Sequence, residues 1–109
     1  MNRIEDFFDL DLRIGTIIKI DDFPEARKKA YKLILDFGSL GFYTSSAQIT
    51  EKYSKEELVG KQIVSIINLG YKRIAGFKSQ CLVLGLIYLG GIVLISPENS
   101  ISNGTEVTL

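Results

Sequence analysis

Histidine is absent from this 109-residue chain. That removes the commonest general acid–base and the commonest transition-metal ligand. Cysteine occurs once, at Cys81, so no disulfide can close within the chain. A zinc site, which draws on several Cys and His donors, has no ligand set. Cys81 is followed directly by the apolar residues 82–84 and reads as a buried thiol. Prolines number two, and no change in composition marks a disordered tail. No apolar run reaches the roughly 18 residues of a membrane span. The start, MNRIEDFFDLDLR, mixes acids with apolar side chains and is not expected to be a signal peptide. A cytoplasmic protein without membrane insertion is expected. The carboxylate doublets Asp21–Asp22 and Glu56–Glu57 read as solvated surface, so no catalytic, metal or cofactor site is expected.

Net charge is absent as well: thirteen bases offset thirteen acids. Their distribution is uneven. Up to Glu25 there are seven acids and three bases. Residues 26–80 hold ten bases and four acids, and residues 81–109 two acids and no base. A neutral chain with a basic middle can carry one positive face and a negative remainder. The length suits one domain with one core, residues 1–109.

The chain is 46% hydrophobic, and its pattern suggests the following elements. Residues 2–10 read as a short helix capped by Asn2 with Glu5 three residues on, and Ile4, Phe7 and Phe8 fall on one face. Residues 13–20 read as a strand with a bulge or bend at Gly15. Residues 21–30 form a polar connection in which 25–30 make a turn of helix; the run Arg27, Lys28, Lys29 is by default a solvated face. Residues 31–37 alternate Leu33, Leu35 and Phe37 against Lys32, Ile34 and Asp36, the period of a strand. A turn at 38–41 leads into a third strand within 40–49. Residues 50–60 are the interior helical segment, capped by Thr50 or Ser54, with Glu57 three residues past Ser54 and Gly60 ending it. Strands at 61–69 and 81–87 follow, then a hairpin at Gly90–Gly91 into 92–96, an irregular return over 97–104, and a last short strand at 105–109.

Three strands, a helix, and two strands form the pattern of a five-stranded OB-fold barrel, an all-β fold with one helix between strands 3 and 4. The fourth and fifth strands are apolar on both faces, with Ile63, Ile67 and Leu69 opposite Val64 and Ile66. A small barrel buries only its inner face, so the outer rows need cover from the terminal segments, a second subunit, or both.

Residues 68–85, NLGYKRIAGFKSQCLVLG, pass from one apolar run to another through a basic, glycine-punctuated loop. Lys72, Arg73 and Lys78 supply charge, Tyr71 and Phe77 flat apolar surface, Ser79 and Gln80 hydrogen-bonding groups. Such a loop suits a phosphate backbone with exposed bases, or an extended basic or apolar peptide.

DLRIGTI (11–17), FPEARKKAYKL (23–33), SSAQI (45–49), the 68–85 segment and NGTEV (103–107) together resemble the tRNA-binding-domain family. The resemblance runs along nearly the whole chain and points to the family's branch of secretion-associated chaperones. It implies an OB-fold, no enzyme activity, no cofactor, and a homodimer built from the extensions 1–12 and 97–109, with Ile4, Phe7 and Phe8 at the interface. The leading function it implies is a dimeric chaperone for unfolded or pre-secretory polypeptides that also binds tRNA; the alternative is a structure-selective tRNA-binding protein. Carried over residue by residue, the binding positions are Arg73, Lys78, Ser79 and Gln80, supported by Lys72. Phe77 and Ile74 either touch ligand or pack the loop on the barrel. Arg27 fits a groove rim or an intersubunit ion pair. Phe42 or Tyr43 walls a groove, strand parity allowing only one to face outward.

Overall fold

The computed structural model describes residues 3–109. Its centre is β1 (Leu12–Asp22), which is long enough to serve two neighbours. Its first half pairs antiparallel with β4 (Gln62–Ile66), from Leu12↔Ile66 to Thr16↔Gln62. Its second half pairs with β2 (Tyr31–Asp36), from Thr16↔Asp36 to Asp22↔Tyr31. The strand changes partner at Thr16, and the register slips between Ile17 and Lys19. That irregularity, not Gly15, carries the bulge expected from the sequence. Gly15 stays in register opposite Ile63. Its missing side chain serves a close approach instead, since a Cβ there would lie 2.6 Å from Cε1 of Phe37.

β2 continues through a 3-10 turn, Gly38–Leu40, into β3 (Phe42–Ala47). The five-stranded sheet has the order β3–β2–β1–β4–β7, where β7 is Leu82–Val83. Side-chain and loop bonds join its two edges. The Ser45 hydroxyl donates to the Cys81 carbonyl at 2.9 Å, and the Gln80 N–H donates to the Thr44 carbonyl at 2.8 Å. The result is the nearly closed barrel of an OB-fold. Ile17, Leu33, Leu35, Phe37, Leu58 and Ile63 are fully buried in it. The alternation in residues 31–37 therefore reads as expected.

Between β3 and β4 the helix is a single turn, α2 (Lys55–Leu58). Ser54 caps it, accepting from the Glu57 N–H at 3.3 Å while its own N–H donates to Glu57 Oε1 at 2.8 Å. The helix is shorter than residues 50–60, and its last residue, Leu58, is fully buried in the barrel core. Gly60, at φ +88, then turns the chain back, with its N–H on the Ile17 carbonyl.

A second apolar cluster covers the outside of β1 and β4: Leu12, Ile14 and Val64, packed by Phe7, Ile66, Leu84, Ile95 and Val107. The terminal segments thus help to cover the fourth strand, whereas Leu86 and Ile87 at the end of the fifth stay exposed. At the N-terminus α1 spans Ile4–Phe8. The expected cap Asn2 lies outside the described residues, and the Arg3 N–H donates to Asp6 Oδ2 at 3.0 Å. Phe7 turns onto the barrel while Ile4 and Phe8 remain exposed, so the three do not share one covered face. Asn68 ties this end down, accepting from the Asp11 N–H and donating to the Asp9 carbonyl, each at 2.8 Å.

Four further expectations change. Residues 25–30 form turns and bends rather than helix. The strand at 105–109 is reduced to an isolated bridge, Arg13↔Glu106. The fifth strand divides at Leu84, whose N–H bonds the Val64 carbonyl at 3.0 Å. Beyond it β8 (Gly85–Tyr88) pairs with β9 (Gly91–Leu94). The hairpin turn falls at Leu89 and Gly90, both at positive φ, one residue before the expected Gly90–Gly91. Among the described residues no helix is long and apolar enough to cross a membrane.

Candidate functional site

The basic loop is itself a hairpin. β5 (Lys72–Ile74) pairs with β6 (Phe77–Ser79), with Arg73 opposite Lys78 and Ile74 opposite Phe77. The turn residues Ala75 and Gly76 lie at φ +46 and +83, the backbone that matches the twist of a two-residue hairpin. The sequence signal was the dipeptide Ala-Gly between two short runs, weak because alanine rarely occupies that conformation.

Parity divides the hairpin side chains. On one face Arg73 and Lys78 converge on Tyr71: the Lys78 ammonium lies 4.3 Å from the ring centroid and the Arg73 guanidinium 5.8 Å. The aromatic ring gathers two cations that would otherwise repel. On the other face Phe77 meets Phe23 edge-on at 5.5 Å between centroids. Lys32 lies over both rings, at 5.4 and 5.7 Å. Phe77 and half-buried Ile74 therefore pack the hairpin on the barrel. Phe77, expected as a candidate ligand contact, is engaged in that packing.

Ser79 and Gln80 fasten the hairpin to the edge of β3. Ser79 is buried, and its hydroxyl accepts from the Ser46 N–H at 3.0 Å. Gln80 Oε1 accepts from both the Thr44 N–H and the Thr44 hydroxyl, each at 3.0 Å. The Thr44 hydroxyl also donates to the Lys78 carbonyl. Both residues were expected at the ligand; the structure engages both in holding the hairpin, and Ser79 also borders the pocket between Leu69, Tyr71 and Leu82. On β3, Tyr43 turns inward against Phe37, at 5.3 Å between centroids. Phe42 is the outward member of the pair, 66% exposed.

Arg27 comes to the hairpin from far away in sequence. With Lys28 it lines a groove of about 720 Å³, whose other side is Lys72, Arg73 and Ile74. Arg27 thus lies on a groove rim, one of the two positions that the sequence allowed. Lys28, set aside as ordinary surface, joins it. Glu25 is the one carboxylate in the lining. Among the described residues, ion pairs within 4.0 Å form at Asp11–Arg13, Asp21–Lys19 and Asp22–Lys55. Arg27, Lys28, Lys72, Arg73 and Lys78 take part in none of them. A neutral chain therefore presents a local concentration of unneutralised positive charge.

The groove continues past Lys72 and Ile74 into a pocket of about 340 Å³ lined by Gln48, Leu69, Tyr71 and Leu82. A channel of about 350 Å³ follows, walled by Ala47, Val83, Ile92 and Leu94. Basic at one end, the surface becomes apolar at the other. Cys81 borders the middle pocket, but its thiol is buried, and that burial raises its pKa above the ordinary thiol value. It is a packed side chain with suppressed reactivity, as its neighbours suggested. Among the described residues no group of three or more His, Cys, Asp or Glu is placed to hold a metal.

The family model described as "Putative tRNA binding domain" matches residues 12–106. A methionine–tRNA ligase of Archaeoglobus fulgidus is 38% identical over 104 residues, which are 95% of this chain and 16% of the ligase. One from Porphyromonas gingivalis is 35% identical over 104 residues, 94% of this chain and 15% of the ligase. The chain spans about one sixth of the length of these relatives. Among solved structures, chaperone CsaA from Bacillus anthracis is 50% identical with a TM-score of 0.93, the match covering 99% of each chain. CsaA chaperone protein from Picrophilus torridus is 42% identical with a TM-score of 0.94, covering 99% of this chain and 100% of that one.

Proposed function

Because the chain belongs to the tRNA-binding-domain family of OB-folds, we propose that it binds tRNA through the basic groove between residues 25–28 and the β5–β6 hairpin. The observation that carries this reading is Arg27, Lys28, Lys72 and Arg73 on the groove, with Lys78 opposite Arg73 on the hairpin, all without a carboxylate partner among the described residues. Fixed, unneutralised cations on a groove favour a phosphate backbone, whose condensed counterions are released on binding. Ser79, Gln80 and Phe77 contribute by holding the hairpin, and exposed Phe42 offers a stacking surface on the same strand that anchors it. The reading is of a binding protein with no catalytic step.

A second reading, a chaperone for unfolded or pre-secretory polypeptides, draws on the apolar continuation of the groove and on the 50% identity to a protein described as chaperone CsaA. An extended peptide would lay apolar side chains along Val83, Ile92 and Leu94. Both ligands belong to the cytoplasm, the compartment this function implies. We further propose a homodimer joined through the terminal segments 1–12 and 97–109, because Ile4 (66%), Phe8 (59%) and Leu109 (71%) are left exposed after the barrel is covered.

The test is a competition assay in which labelled tRNA is challenged with an unfolded secretory polypeptide at several salt concentrations. tRNA binding that weakens steeply with salt supports the first reading. Salt-insensitive polypeptide binding without tRNA binding would replace it with the second. Sedimentation at low micromolar concentration should give twice the chain mass of 12.2 kDa; a folded monomer there would remove the dimer.

A further inference from the structure

We propose that the pocket between Leu69, Tyr71 and Leu82 is a subsite for one unstacked nucleobase of a single-stranded RNA segment, whose phosphates lie along the adjoining basic groove. The proposal rests on the RNA-binding reading above and assigns the part of the RNA that the site takes.

Three features point to a base. First, the pocket is about 340 Å³, at the small end of ligand pockets, which run from about 300 Å³ upward; that suits one flat heterocycle. Second, its walls are largely apolar, with polar groups of Ser46, Gln48 and Ser79 among them. Leu82 and Leu69 are 51% and 54% exposed, so each has apolar surface that a base would cover. Gln48 is also exposed on the lining, and its amide can both donate to and accept from a base edge. Third, Lys72 and Ile74 line both the pocket and the basic groove. A cation on the shared rim lets one nucleotide place its phosphate on the charged side and its base on the apolar side.

A base inside a duplex is stacked and paired, so it cannot enter such a pocket. An unpaired loop or tail nucleotide can. The tight end of the site thus discriminates single-stranded from helical RNA, while the cations alone would accept either. Tyr71 contributes a wall rather than an open stacking platform, since Lys78 already lies over its ring at 4.3 Å.

The test uses the intact chain and two fluorescent probes of equal length and charge. One is a short oligouridylate and the other the same ribose–phosphate chain without bases. Anisotropy titrations are run at several salt concentrations on wild type, Leu82→Ser, Gln48→Ala and Arg73→Ala. One base on an open aromatic platform is worth roughly 5- to 150-fold in affinity; with leucine walls and a Tyr71 face taken by Lys78, oligouridylate should exceed the abasic chain by a factor at the low end of that range, about 5-fold. Leu82→Ser and Gln48→Ala should shrink that factor while the salt slope stays at its wild-type value. Arg73→Ala should weaken both probes together and reduce the slope. A melting curve checks each variant, and Leu69→Ser, in the loop before β5, replaces Leu82→Ser if that variant unfolds. Equal affinity for the two probes, with salt-dependent binding of tRNA intact, would overturn the base pocket and leave the RNA reading standing. No binding of either probe or of tRNA would overturn both.

Discussion

Replacing Arg73 with alanine tests the charge argument at one of its exposed members. Arg73 faces Lys78 across the hairpin and lies 5.8 Å from the Tyr71 ring, with no carboxylate within 4.0 Å among the described residues. Its removal leaves no buried charge unpaired and forfeits one exposed cation–π interaction, worth about 0.5–1 kcal/mol. The backbone ladder, the Phe77–Phe23 packing and the Gln80–Thr44 bonds remain. Stability should therefore fall by no more than about 1 kcal/mol. RNA binding should respond differently. Removing one cation from a phosphate lowers the slope of log affinity against log salt by about 0.9 on a duplex and 0.7 on a single strand. Across a fourfold rise in salt, the deficit of the variant relative to wild type should then narrow by roughly threefold. If a dimer presents both hairpins to one RNA, the slope change doubles and the narrowing becomes roughly ninefold. The assay is tRNA binding from about 50 to 200 mM salt, a range over which such slopes are well resolved. Arg73→Lys, which keeps the charge, should keep the slope. An unchanged slope for Arg73→Ala in a normally folded protein would show that RNA does not use this hairpin. A large loss of thermal stability would show that Arg73 serves to hold the loop.

Other perturbations probe the scaffold. Gln80→Leu deprives the Thr44 N–H of its acceptor, while the Thr44 hydroxyl keeps the Lys78 carbonyl, and should cost about 0.5–1.5 kcal/mol. Hydrogen exchange at residues 77–79 should quicken and RNA affinity should drop; unaltered exchange would mean the clasp does not hold the hairpin. Gly15→Ala would place a Cβ 2.6 Å from a fully buried Phe37 ring and should cost about 1–3 kcal/mol through overpacking, read from denaturant melts. The Cys81 thiol, held in its neutral form by burial, should resist a thiol reagent at mildly alkaline pH in the native protein and react promptly once the chain is denatured. Fast native reaction would contradict the closed Ser45–Cys81 edge.

Local signals in the amino-acid order were enough to decide the barrel. The alternation of residues 31–37, the Ser54–Glu57 cap and the doubly apolar strand around Val64 each report a short-range requirement that the fold satisfies. The family resemblance also rests on linear motifs, so it was legible without coordinates. Tertiary structure alone decided which side chains meet. Arg27 and Lys28 reach Lys72 and Arg73 because β2 and β3 carry the chain around the barrel, a path that no local pattern records. Ser79 and Gln80 look like ligand-binding groups in a basic loop. They became struts because β3 presents its Ser46 and Thr44 N–H groups at an edge with no neighbouring strand to bond them. Strand parity left Phe42 and Tyr43 equivalent until Phe37 filled the inward side. Gly15 misled because the sequence shows a missing side chain but not the ring that needs its space. Secondary structure follows from periodicity along the chain, whereas a binding site follows from long-range closure, and closure depends on every element at once.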